Sequence, residues 1–365
     1  MMVTVNKQIN YVEEANSLLY SYVNSDSYEK MKQDGSRKIT YSAELYNKRY
    51  QHILNIYNYV IENIRFEKVQ LEYYFKEIGK SGMGLSSYLF PLYTEVQYDS
   101  LTEYETAARS KSKVEIIRDF DYILSQHYTF GKSDDYKTID SFEELMRSMN
   151  KGDFSSEDKW KIVQTYLEHD KHLDELCLIF DRTIQLLKER SDEVKILEGE
   201  FYDYWVDYTN NHNFLEELQK YASITWQFSE TGNVMIPAIF RPNSITISSS
   251  ADDDKKADII HVGIILDANL TCKPARVDNE DLNNALKLLS DKSKFEILKY
   301  IKSKPAYGFE IANAFNLSTS TISYHMNGLI QARLVKIEKE ANKIYYSLNK
   351  ETVEEILKDI GEMLL

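Results

Sequence analysis

The run Leu317-Ser318-Thr319-Ser320-Thr321-Ile322-Ser323-Tyr324-His325-Met326-Asn327-Gly328-Leu329-Ile330 decides how the C-terminal part of the chain is read. Ser318 is placed to cap a helix, because its oxygen can accept an orphan backbone N–H of the first turn. Ile322, Met326, Leu329 and Ile330 recur at helical spacing and make one apolar stripe. At about 100° per residue, Ser320, Tyr324, Asn327 and Gln331 fall on the opposite side, flanked by Ser323.

The flanking residues extend the pattern. Phe309–Phe315 reads as a short helix that stops at Asn316, a residue tolerant of the left-handed backbone a tight turn requires. Two helices joined this way make a helix-turn-helix. After it, Val335 and Ile337, then Ile344, Tyr346 and Leu348, alternate as two strands that reverse at Ala341-Asn342. That hairpin reads as a wing, with Lys336, Lys339 and Lys343 available for phosphates. A helix that hides its aliphatic side and turns short hydroxyls, an amide and a phenol outward suits the major groove. Such groups reach base edges without a dense charge to desolvate.

Residues 282–350 resemble the winged-helix domain of the ArsR family of bacterial transcription regulators. The resemblance is carried by Leu286-Lys287-Leu288-Leu289-Ser290-Asp291, Phe295-Glu296-Ile297-Leu298, Glu310-Ile311-Ala312, Leu317-Ser318, Thr321-Ile322-Ser323-Tyr324-His325-Met326, Leu334-Val335 and Tyr345-Tyr346-Ser347-Leu348. It implies a symmetric homodimer that binds a palindromic operator in double-stranded DNA, with the helix after Ser318 in the major groove. Tyr324 stands where a first histidine is common in the family. A winged helix used for protein contacts, in a protein-interaction scaffold, is the alternative reading.

The charge balance fits when resolved by region. The 365-residue chain carries 44 Lys and Arg against 58 Asp and Glu, a net −14. Within 282–350 there are eleven Lys or Arg and five acids, a net +6, so the remainder carries −20. A basic module on an acidic body is the distribution that phosphate attraction requires. A hydrophobic content of 43% supports real cores, and the length suggests two or three domains. Cys177 and Cys272 match no zinc or redox spacing. No apolar run is long enough to cross a bilayer and Met1–Asn6 lacks a signal-peptide core, so the chain is expected in the cytosol, with no membrane partner.

The expected fold is mainly α, with three parts. Residues 1–222 read as a helical bundle, an effector or interaction domain. Stripes begin at Ile9, Val12, Leu19 and Val23, and at Leu45, Ile53, Ile56 and Val60, the latter running toward Ile78. Gly79–Pro91 reads as loop, while Ser141-x-x-Glu144 and Ser155–Asp158 mark later helix starts. Residues 223–275 read as a small antiparallel β-meander and linker, with strands at Ile224–Trp226, Val234–Pro237, Ser244–Ser248 and Ile259–Ile265. Pro237 and Pro242 confine their strands to edges or ends. Residues 276–365 form the winged helix-turn-helix domain.

Other motifs carry less. Gly79-Lys80-Ser81 and Gly131-Lys132-Ser133 have Tyr74 and Gln126 where a phosphate loop needs its first glycine, and read as loop. His169 and His172 share a helix face, but nothing supplies further ligands, and Asp170, Lys171 and Asp174 suggest a solvated surface. No metal, cofactor or catalytic residue is expected. In the last helix Val353, Ile356, Ile360 and Met363, with Leu282, Leu286 and Leu289, read as a dimerisation seam; burial in the monomer's own core competes with that reading. The 28 tyrosines could line a pocket for an unknown small-molecule effector, serve a protein partner, or fill the core. The residues expected on DNA are Ser318, Thr319, Ser320, Thr321, Ser323, Tyr324 and Asn327, with Lys336, Lys339 and Lys343 on flanking phosphates, in a regulator that represses transcription.

Overall fold

The computed structural model describes residues 3–24, 28, 43–79, 83–90, 92, 98, 100–126, 139–150, 154–222, 224–225, 228–229, 232–248, 257–267, 279–317, 319–340 and 343–364. In chain order, β1 is Val3–Val5, followed by helices α1 Tyr11–Val23, α2 Ala43–Asn63, α3 Lys68–Phe75, α4 Ser86–Leu89 and α5 Leu101–Arg109. Helices α6 Lys113–Gln126, α7 Phe142–Met149, α8 Ser156–Leu167, α9 His169–Glu189, α10 Ser191–Asn211 and α11 Phe214–Ala222 come next. Four strands follow: β2 Ile224–Thr225, β3 Asn233–Ala238, β4 Ile245–Ser248 and β5 Asp258–Gly263. The C-terminal elements are α12 Asn279–Ser290, α13 Lys292–Ser303, β6 Ala306–Tyr307, α14 Gly308–Phe315, α15 Thr319–Gln331, β7 Val335–Glu340, β8 Lys343–Leu348 and α16 Lys350–Leu364. The protein is mainly α, as its periodicity predicts.

The chain forms two compact units. The first comprises Met1–Ile116, Ser155–Phe214 and Phe228–Thr271; the second comprises Ile117–Phe154, Leu215–Gln227 and Cys272–Leu365.

In the first unit the strands depart from the expected meander. Their positions match the β-branched runs, but the sheet order is β1-β3-β5-β4, with β1, β3 and β5 parallel and only β4 antiparallel to β5. The physical reason is the burial of β5 along its whole length, Asp258 and His261 included. A meander would leave that strand at an edge, whereas insertion between β3 and β4 pairs its backbone on both sides. β1 ends at Val5, opposite Met235 and two residues before Pro237, so the proline lies beyond the pairing on that side. The stripe expected to run to Ile78 breaks after Asn63, and the segment read as loop contains α4. The second and third residues of Gly79-Lys80-Ser81, and all of Gly131-Lys132-Ser133, lie outside the described residues.

This unit buries charge on a scale that the apolar stripes do not reveal. On α1, Glu13 and Glu14 are both buried. Glu13 Oε2 lies 2.7 Å from His261 Nε2 on β5, and its Oε1 accepts from the Tyr104 hydroxyl at 3.2 Å. The Glu14 carboxylate accepts the Ile239 and Phe240 backbone N–H groups at 2.9 and 2.8 Å, just past the end of β3. A lone strand end would otherwise hold these donors away from water at considerable cost. His169 and His172 are also buried, which corrects the solvated-surface reading. His172 Nδ1 lies 2.9 Å from the Tyr74 hydroxyl, which donates to Glu175 at 2.6 Å, and its ring stacks on Tyr73.

Burial raises the Glu14 carboxyl from about 4.5 to about 7, against the opposing pull of the two backbone donors and Arg241. Between those values the folded chain binds more protons than the unfolded one, so this group's contribution to stability falls as pH rises through them. Urea unfolding at pH 4.5 and at pH 7 is expected to show a stability loss on the order of 3 kcal/mol in wild type that Glu14→Gln lacks. Identical pH dependence in the two proteins would contradict it.

Candidate nucleic-acid interface

The second unit contains the helix-turn-helix, and its geometry follows the residue types. α14 ends at Asn316, whose φ of 52° and ψ of 43° are left-handed, and Leu317 N–H bonds Ala312 O at 3.0 Å. The amide side chain of asparagine makes that conformation tolerable. α15 ends similarly, with Arg333 at φ 57° and Leu334 N–H bonding Leu329 O at 2.9 Å.

The aliphatic stripe of α15 is taken into the core. Ile322, Met326 and Leu329 are buried with Ile297, Leu298, Ile301, Ile311, Leu334, Val335 and Tyr346, and Ile330 packs against them in part. Fully burying each such side chain stabilises by about 1.5–3 kcal/mol. The opposite side stays open: Tyr324 is 57% exposed and Asn327 is also exposed. Thr321 and Ser323 are half-buried at its flank, and Thr319 and Ser320 lie in the first turn. Ser318 lies outside the described residues.

The wing is an antiparallel hairpin of β7 and β8, registered from Val335↔Leu348 to Glu340↔Lys343, with β6 on the far side of β8. The reversal at Ala341-Asn342 lies outside the described residues. On its other side β7 carries β2 in parallel, Ile224 opposite Ile337 and Thr225 opposite Glu338, so a segment arriving from α11 covers the edge strand. Lys339 and Lys343 lie near the tip of the hairpin. Lys336 is already engaged, its Nζ 2.7 Å from Glu351 Oε2 at the start of α16. That pairing holds the Glu351 carboxyl below its ordinary range.

The seven seam residues divide. Leu282 and Ile356 are buried in this unit's own core, and Leu289, Val353 and Ile360 pack against it in part. Leu286 is exposed, as are Leu357 and Met363 on α16. The core takes one side of each amphipathic helix and leaves Leu286, Leu357 and Met363 outward.

A cluster beside α15 involves residues that the sequence pattern does not single out. Asp291 caps α13, accepting Lys294 N–H at 3.0 Å and the Lys294 ammonium at 3.0 Å. The same ammonium lies 5.7 Å from the centroid of the Tyr324 ring. The first contact is local, a cap and ion pair three residues apart, whereas the approach of Lys294 to Tyr324 joins two helices and requires the fold. Beside them, His325 has a buried Nδ1 with no hydrogen-bond partner among the described residues. Burial, then the neighbouring Lys294, pushes its pKa down from 6.5, while Asp291 opposes. An NMR titration of the His325 ring is expected to show a midpoint below 6.5, so that it is neutral at pH 7. A midpoint at or above that value would contradict the burial.

Comparison with known proteins agrees with this geometry. Residues 291–336 match the model of the arsR family of bacterial regulatory proteins. The arsenical resistance operon repressor of Staphylococcus aureus is 32% identical over 82 residues, which span 22% of this chain and 79% of that protein. The transcriptional repressor SdpR of Bacillus subtilis is 38% identical over 68 residues, spanning 19% of this chain and 76% of that protein. Among solved structures, NolR from Sinorhizobium fredii is similar over 23% of this chain and 85% of its own, at 27% identity and a TM-score of 0.20. With its left-handed turn at Asn316, buried stripe on α15 and paired wing, the chain belongs, through this C-terminal segment, to the arsR family of bacterial regulatory proteins.

Proposed function

We propose that this protein is a transcriptional repressor that binds a palindromic operator as a homodimer, with α15 in the major groove. The observation that carries the proposal is the division of α15: three aliphatic residues lie in the core, while Tyr324 and Asn327 are left outward. Repressor names among the relatives support the direction of regulation. Ser318, Thr319, Ser320, Thr321 and Ser323 complete the contact surface. Lys339 and Lys343 meet flanking phosphates, and Lys336 joins them when Glu351 releases it. In this reading the first unit receives a small-molecule or protein effector.

Leu286, Leu357 and Met363 are the apolar groups left at the surface by α12 and α16, and they support a subunit contact there. In a two-fold dimer the same patch meets itself. Paired half-sites then lie about one duplex turn apart.

Gel shifts against a duplex selected from a random pool, and against a scrambled duplex, test the reading helix. Tyr324→Ala is expected to reduce discrimination between the two about 5- to 100-fold. Lys343→Ala is expected to weaken both together and to flatten the salt dependence by about one unit of slope. Equal loss on both duplexes from Tyr324→Ala would contradict base reading. Sedimentation of the Leu286→Glu, Leu357→Glu double variant is expected to show monomers where wild type shows dimers; an unchanged dimer would move the interface elsewhere.

A further inference from the structure

We propose that Lys294 is the positioning residue for Tyr324, and through it helps determine which base steps the reading helix accepts. This rests on the DNA-reading role given to α15 above. Lys294 stands on α13, a different helix, and its side chain is only 11% exposed, an unusual state for lysine. Asp291 holds it at both ends, by its backbone N–H and by its ammonium, each at 3.0 Å. So anchored, the ammonium sits 5.7 Å from the Tyr324 ring centroid, inside the range of about 6 Å over which a cation is attracted to an aromatic face.

The lysine stem passes beside Gly328. Tyr324 and Gly328 are one helical turn apart and share a side of α15. A Cβ at residue 328 would meet Leu288 Cδ2 at 3.5 Å and Lys294 Cε at 3.9 Å, so there is room for one carbon and little more. A single carbon there is at ordinary contact distance from the stem, and a longer branched side chain adds bulk beside it.

The consequence is preorganisation. An exposed phenol on two rotatable bonds must be ordered when DNA binds. A fixed cation against one ring face selects a pose beforehand and leaves the hydroxyl outward. Because Asp291 neutralises the ammonium, Lys294 adds little to phosphate attraction. Positioning and charge therefore predict opposite signatures.

The test uses the full chain with the selected and scrambled duplexes. Lys294→Met is expected to lower the ratio of the two affinities about 2- to 5-fold with the salt slope unchanged, while Lys294→Arg retains the ratio. Gly328→Leu, which crowds the stem without altering charge, is expected to reproduce the Lys294→Met loss. An unchanged ratio in Lys294→Met, or an equal loss on both duplexes with a flatter salt slope, would overturn the proposal. NMR without DNA judges the contact separately. The Lys294 ε-methylene should carry an upfield ring-current shift that survives Tyr324→Phe and vanishes in Tyr324→Leu. Absence of that shift in wild type overturns the positioning contact. Its presence in a chain that selects no duplex would uphold the contact and sink the DNA reading alone.

Discussion

A helix has two sides, and in this protein the core claims one side of α15 so completely that the other is fixed. Ile322, Met326 and Leu329 are each at most 1% exposed. Turning the helix to hide Tyr324 would return all three to water, at a cost of roughly 5–9 kcal/mol, comparable to the whole stability of a small domain. The orientation of the reading surface is therefore set by burial, not by anything the surface itself does. The left-handed residues Asn316 and Arg333 hold the helix in register with α14 and β7 at its two ends.

The helix-turn-helix and wing were legible because local chemistry and tertiary fold agree there. The stripe of α15, the left-handed residue at Asn316 and the alternation of β7 and β8 each follow from residue type and spacing. Legibility fails where residues distant in sequence meet. The sheet of the first unit was read as a meander because neighbouring strands most often pair in order. The β-branched Ile259, Ile260 and Val262 of β5 are the signal for a central strand, and Val3 and Val5 of β1 the signal for a further one, while Asp258 and His261 in β5 blur the first. Glu13, Glu14 and His172 look like surface residues by composition, and only their partners across the fold offset the cost of their burial. At the interface, Lys294 and Glu351 escaped notice for the same reason. Their contacts link different helices or a helix to a strand, and no spacing rule records that.

The second unit is not confined to the family segment. It draws in Ile117–Phe154 and Leu215–Gln227, and the latter stretch supplies the strand that pairs with the edge of the wing. A parallel pairing of two residues is weak by itself, and it depends on the α11 segment that leads into it. The buried Glu14 and the Glu13–His261 pair lie in the first unit, in a core where unpaired charge is costly and small shifts are felt.

Photo-cross-linking most directly tests whether the outward side of α15 enters a duplex. A photoreactive side chain placed at Asn327 in the full chain, bound to a selected duplex, should label bases within the site. Methylating guanine N7 in the major groove should abolish that labelling. Labelling of the sugar-phosphate backbone alone, or none from position 327 while position 357 on α16 labels bases, would contradict the assignment of α15 as the reading helix.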